Sequence, residues 1–324
     1  LKELKQEICR YLYRRFDVSY NPDSEVMVTV GGSEAIDIAL RAMCDPGDEV
    51  LIPQPSYVSY VPCTMLAGGK PVVIELEEKD NFKLTPEKLL AKITDKTKIL
   101  VMPFPNNPTG AIMTKEDLAP IVDIIIEKDL FVISDEIYSE LTYGTDHVTI
   151  AEFPGMKDRT ILINGFSKSY AMTGWRLGYA AAPHRILEQM LKIHQFAIMC
   201  APTTSQYAAV SALRDGDNDV QMMREAYDQR RRFVLHAFKE MGLDCFEPEG
   251  AFYAFPSSKR FGMTSDEFAT RFLREEKVAV VPGTAFGASG EGFLRVSYAY
   301  SLKNLKEALG RMANFVKRLD EERK

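Results

Sequence analysis

Apolar positions recur along this chain with two periods, and the changes of period mark its elements. At the start, Leu1, Leu4, Ile8 and Leu12 repeat at helical spacing, so the chain opens inside an amphipathic helix. Short β-branched runs follow at 26–30, 49–53, 71–76, 98–102, 130–134, 160–164 and 177–182, and each reads as a strand. Helical patterns lie between several of them, at 33–43 and 114–128 for example, and Asp45-Pro46-Gly47-Asp48 is a turn. Short apolar strands alternating with helices predict an α/β fold with a mostly parallel sheet covered by helices on both faces. After 214–218, where Arg-Asp-Gly-Asp-Asn interrupts the pattern, the chain changes character. A long helix is expected over 218–241, then strands of a second small sheet at 250–256, 278–281 and 293–298, and a closing helix at 302–319. The reading is thus a large domain over 1–215 and a smaller α+β C-terminal domain over 216–324, entered by a long connecting helix. A first residue that is Leu rather than Met adds the expectation that the numbering begins within a longer protein.

Composition narrows the class. Of 324 residues, 46% are hydrophobic and 27% charged, as in an ordinary globular enzyme. The net charge of −6 speaks against a nucleic-acid or membrane-surface binder, which needs a basic face, but leaves room for a small cationic pocket. No apolar run approaches the ~20 residues that span a bilayer. Cys9, Cys44, Cys63, Cys200 and Cys245 are odd in number and form no C-x-x-C pair. With four scattered histidines they predict no metal centre and a reducing, cytoplasmic setting.

Five segments carry candidate chemistry. Val28-Thr29-Val30-Gly31-Gly32-Ser33 runs from a strand through two glycines into a helix, where bare N–H groups and the dipole bind phosphate; an ordinary turn with a Ser cap is the plainer reading. Pro105-Asn106-Asn107-Pro108-Thr109-Gly110 follows a strand at its carboxyl end, where sites in such sheets lie, although its residues are also turn formers. In Ser134-Asp135-Glu136-Ile137-Tyr138, Asp135 ends a buried strand and must be paired or hydrogen-bonded there. Lys168 sits among small and apolar residues in Ser167-Lys168-Ser169-Tyr170-Ala171-Met172-Thr173-Gly174-Trp175-Arg176. Desolvation there lowers its pKa and makes a usable amine nucleophile, and the fork of Arg176 suits phosphate. Arg295 interrupts an apolar strand in Gly292-Phe293-Leu294-Arg295-Val296-Ser297, as a paired core residue or as a carboxylate clamp facing a cleft.

Taken in this order, the five blocks resemble the class I/II aminotransferases of pyridoxal-phosphate fold type I, the aspartate aminotransferase-like family, over essentially the whole chain. The resemblance implies pyridoxal 5′-phosphate as cofactor, and roles for individual residues. Lys168 matches the Schiff-base lysine, Asp135 the carboxylate at the pyridine nitrogen, and Tyr138 with Asn107 the pair at the phenolic oxygen. Tyr57 matches the stacking aromatic, Gly32 and Ser33 the phosphate turn, Arg176 the phosphate arginine and Arg295 the α-carboxylate clamp. It also implies a homodimer with shared active sites. Two departures stand out. Family members often carry a hydroxyl three residues before the lysine, where Gly165 stands here, and Ser167 beside the lysine is not expected to replace it. Family members also usually begin some tens of residues earlier, with an N-terminal arm that this numbering is expected to lack.

The expected function is transamination between an L-amino acid and a 2-oxo acid. Ser33 stands where some dicarboxylate-preferring relatives have lysine, which points to aromatic or large neutral amino acids, with aspartate left open. A C–S β-lyase on the same fold is the alternative enzyme, because the fold alone does not choose the reaction. A non-enzymatic sensor domain of a transcription factor is the other, although no helix-turn-helix or basic patch accompanies it here.

Overall fold

The protein is described from a computed structural model, residues 1–323. Seven strands build the larger sheet: β1 (Val26–Thr29), β2 (Glu49–Gln54), β3 (Lys70–Glu75), β4 (Thr97–Met102), β5 (Phe131–Asp135), β6 (Thr160–Gly165) and β7 (Gly178–Ala181). Their order is β1-β7-β6-β5-β4-β2-β3, and only β7 runs against the rest. Among the described residues ten α-helices accompany the strands. α1 (Lys2–Phe16), α2 (Gly31–Met43), α3 (Tyr60–Leu66), α4 (Pro86–Leu90) and α5 (Lys115–Glu127) precede β5, while α6 (His184–Ala197) and α7 (Thr203–Asp215) follow β7. Then come α8 (Asp217–Glu240), α9 (Ser265–Glu276) and α10 (Leu302–Glu322).

Strand side chains alternate between two covered faces, as a sheet buried on both sides requires. Val50, Ile52, Ile99, Val101, Ile133, Ile161 and Ile163 pack with Ile36, Ala39 and Leu40 of α2 and Ile186 and Met190 of α6. Their neighbours Leu51, Leu100 and Val132 pack with Leu118, Ile121 and Ile125 of α5, and Leu162 with Leu4, Ile8 and Leu12 of α1. Leu4, Ile8 and Leu12 are fully buried as their spacing predicts, whereas Leu1 precedes α1 and is exposed.

The second sheet is smaller than the sequence pattern suggests. β8 (Tyr253–Ala254) and β9 (Val281–Pro282) flank β10 (Leu294–Ser297), all antiparallel. Its core comes from Val234 and Phe238 of α8, Phe268 and Phe272 of α9, and Leu305, Leu309 and Phe315 of α10. Tyr138 and Leu141, from the loop after β5, belong to that same cluster and tie the two sheets together. Among the described residues no helix is long and apolar enough to cross a membrane.

Candidate active site

Parallel strands put their following loops on one edge, and this sheet's edge carries a cavity of ≈ 320 Å³. Every residue given a cofactor or substrate role in the sequence lines it. Tyr57 follows β2, Asn107 follows β4, Asp135 and Tyr138 end and follow β5, and Lys168 follows β6. Gly32 and Ser33 follow β1. Arg176 precedes β7, and because β7 is reversed, its start lies on the same edge as the end of β6. Arg295 arrives from β10 of the second sheet.

Helix α2 begins at Gly31, two residues before the expected start, so both glycines lie in its first turn. Gly31 adopts φ +79°, and a Cβ there would fall 2.6 Å from Nη2 of Arg176; glycine lets the guanidinium approach the turn. Ser33 does not cap the helix and its hydroxyl is 3.4 Å from that of Tyr57. Glu34 anchors the turn instead. Its Oε2 accepts the Val30 N–H at 2.5 Å and its Oε1 lies 2.6 Å from Nδ1 of His194.

The segment after β4 satisfies both readings of its sequence. Asn106 closes the turn, its Oδ1 accepting the Thr109 N–H and hydroxyl at 3.2 and 2.9 Å. Asn107 is thereby left to line the cavity, where its Oδ1 accepts from Nη1 of Arg295 at 2.9 Å.

The loop after β5 is held by buried carboxylate chemistry. Glu136 accepts the hydroxyls of Ser134 and Thr149 at 2.8 and 2.7 Å and lies 2.9 Å from Nε2 of His147. Asp135, beside it, accepts the Tyr60 hydroxyl at 2.7 Å and the Ile137 N–H at 3.3 Å. Burial pushes the Asp135 carboxyl above its ordinary range, with the Tyr60 hydrogen bond opposing. Tyr138 donates to or accepts from Tyr253 at 3.1 Å.

Burial lowers the pKa of Lys168, first of all, and the positive charges of Arg176 and Arg295 lower it further. Among the described residues its amine has no hydrogen-bond or ion-pair partner. Arg295 lies between two aromatic faces, its guanidinium carbon 4.5 Å from the Tyr253 ring and 4.7 Å from that of Phe286, and its Nε is buried without a partner. The cavity thus holds Lys168, Arg176 and Arg295 against one carboxylate, Asp135, on a chain of net charge −6. A free amine, an arginine beside a glycine turn, and a buried carboxylate across an aromatic-lined cavity fit a phosphorylated aldehyde with a basic ring nitrogen.

Gly165 has a local cause. It pairs with Gly178 across β6 and β7, and a Cβ on it would fall 2.9 Å from the Gly178 Cα and 3.0 Å from the Leu177 carbonyl oxygen. Ser167, set aside in the sequence, does line the cavity. Tyr60 and Tyr253 also line it without being singled out beforehand. The one signal for Tyr60 was its place three residues after Tyr57, which a tight turn brings to the same side.

The family model for aminotransferase class I and II matches residues 1–312. The chain is 51% identical to the putative aminotransferase YugH of Bacillus subtilis, covering 98% of this chain and 82% of that protein. It is 47% identical to an aspartate aminotransferase of Pyrococcus abyssi, over 96% and 81%. The solved aromatic aminotransferase of Pyrococcus horikoshii superposes with a TM-score of 0.96 at 46% identity, over 98% of this chain and 86% of that one. The chain belongs to the class I and II aminotransferases, enzymes that work with pyridoxal 5′-phosphate, and it is a transaminase.

Proposed function

We propose that this transaminase exchanges an amino group between an L-amino acid with an aromatic or large neutral side chain and a 2-oxo acid, aspartate being the poorer donor. The supply of cations in the cavity carries this reading. Lys168, Arg176 and Arg295 are its cations among the described residues, and the reaction has a task for each. Lys168 would hold the cofactor's aldehyde until the substrate's amine takes its place there and frees Nζ. Arg176 holds the cofactor's phosphate with the N–H groups of Gly32 and Ser33. Arg295 holds the substrate's α-carboxylate beside Asn107. None remains among the described residues of the cavity for a second carboxylate, and its lining also includes the apolar Ile36 and Ile137 and the ring of Tyr253. The relatives' names point both ways, to aspartate in one and to aromatic substrates in the other.

Pyridoxal phosphate, when bound, would supply an electron-accepting ring. Asp135 would keep a proton on its ring nitrogen, Tyr57 would cover the ring face, and Tyr138 with Asn107 would hydrogen-bond the phenolic oxygen. Lys168 Nζ takes the proton from the substrate Cα, and its lowered pKa makes the free base available at lower pH than in an ordinary lysine. Arg295 fixes the carboxylate so that this proton faces the amine. Comparison of kcat/KM for phenylalanine, tyrosine and leucine with that for aspartate tests the assignment; a larger value for aspartate defeats it.

The two units divide at 215/216, supported by Gly216, which separates α7 from α8. The enzyme is a homodimer with shared active sites, supported by Phe196 and Met199, 92% and 77% exposed, at and just after the end of α6, and by exposed Trp175 next to Arg176; sedimentation of the purified protein measures this. Five free cysteines suit a cytoplasmic setting.

A further inference from the structure

Asp135 is 7% exposed and must carry its charge in a place where burial favours the neutral acid. What stands against that is a single strong hydrogen bond. Its Oδ2 accepts the Tyr60 hydroxyl at 2.7 Å, whereas the Ile137 N–H reaches Oδ1 only at 3.3 Å. We infer that Tyr60 is a positioning residue for transamination, its hydroxyl holding the Asp135 carboxylate ionised and aimed into the cavity. The inference rests on the proposed placement of Asp135 at the ring nitrogen.

The donor's chemistry suits the task. Tyr60 is 2% exposed, and burial, followed by the neighbouring Asp135, pushes its hydroxyl well above the ordinary tyrosine range. It therefore stays a donor throughout the working pH range. It is also neutral. A lysine or arginine in its place would neutralise Asp135 and weaken the carboxylate's hold on a ring proton; a hydroxyl orients the charge and leaves it unspent. The other groups around Asp135 oppose one another. Glu136, next in the chain, favours the neutral acid but is occupied by Ser134, Thr149 and His147. Lys168, from the loop after β6, favours the ionised form. Tyr138, from the same loop as Asp135, is a neutral hydroxyl bonded to Tyr253. The Tyr60 ring meets Tyr57 edge to face at 5.7 Å, so the same side chain also seats the aromatic proposed to cover the cofactor.

Tyr60→Phe keeps that ring contact and removes only the donor. In the holoenzyme, kcat should fall roughly tenfold to a hundredfold, the range for a hydrogen bond to a buried charge. KM for the amino acid should stay near wild type, and the acid limb of the kcat profile should move to higher pH, because the carboxyl has lost the donor that favours its ionised form. Affinity of the apoprotein for pyridoxal phosphate, measured by equilibrium dialysis, should drop. In an Asp135→Asn background, Tyr60→Phe should do nothing more. An unmoved acid limb, or additive losses in the double variant, would overturn the inference even if Tyr60→Phe is less stable. Asp135→Asn alone separates the two layers of argument. If it leaves kcat and cofactor affinity intact, the placement of Asp135 is wrong; if it lowers both while Tyr60→Phe lowers neither, Tyr60 only packs.

Discussion

Arg295→Lys keeps the positive charge of the proposed carboxylate clamp and removes its shape. The guanidinium lies between the rings of Tyr253 and Phe286 at 4.5 and 4.7 Å and donates Nη1 to Asn107 at 2.9 Å, which leaves its other edge for a ligand. An ammonium cannot present two parallel donors or lie flat between the rings. The loss in binding the carboxylate is about one charge-assisted hydrogen bond, whose upper value of ~3 kcal/mol corresponds to roughly a hundredfold in kcat/KM. Two amines separate clamp from scaffold in the first half-reaction, followed by the change in cofactor absorbance. Phenylalanine has the α-carboxylate and phenylethylamine lacks it. The variant should lose about a hundredfold with the former and remain near wild type with the latter. An equal fall with both would show that Arg295 maintains the site's structure and does not bind the carboxylate.

Arg176→Gln removes one of the charges that depress Lys168, so the lysine pKa rises and its free base is reached only at higher pH; the midpoint of the pH dependence for apoprotein reacting with pyridoxal, which has no phosphate, should shift upward. Gly165→Ser restores the hydroxyl that relatives often carry, yet its Cβ meets the Gly178 backbone at 2.9 Å, so we expect about 1–3 kcal/mol of destabilisation and no gain in cofactor affinity, read by urea unfolding and dialysis. Leu162→Ala opens a cavity between β6 and the helices α1 and α7 and should cost about 2–5 kcal/mol, lowering Tm with the order of substrate preference unchanged.

The parallel sheet was legible because its central strands are buried on both faces and read as nearly unbroken apolar runs. The second sheet was not, because β8 and β9 are two residues long and exist through pairing with β10 rather than through any local pattern. The start of α2 was misplaced for a related reason. Serine is the commoner helix opener, but here a carboxylate further along, Glu34, reaches back to the Val30 N–H and lets two glycines form the first turn. In the cavity, residues within contiguous motifs were found and those defined by distant partners were not. Tyr60 meets a residue 75 positions away and Tyr253 one 115 positions away, and no window along the chain contains either pair.

The reversed strand β7 has a consequence for anyone who would rebuild this site. Because β6 ends and β7 begins on the same edge, one connection delivers both the amine of Lys168 and the guanidinium of Arg176. That connection is already wound tight, with Ala171 and Arg176 at φ 53° and 51°. Its length works as a ruler between the two groups. Side chains within it can be exchanged, but a residue added or removed there alters the spacing between aldehyde and phosphate sites, and grafts from other enzymes are interchangeable only at equal length.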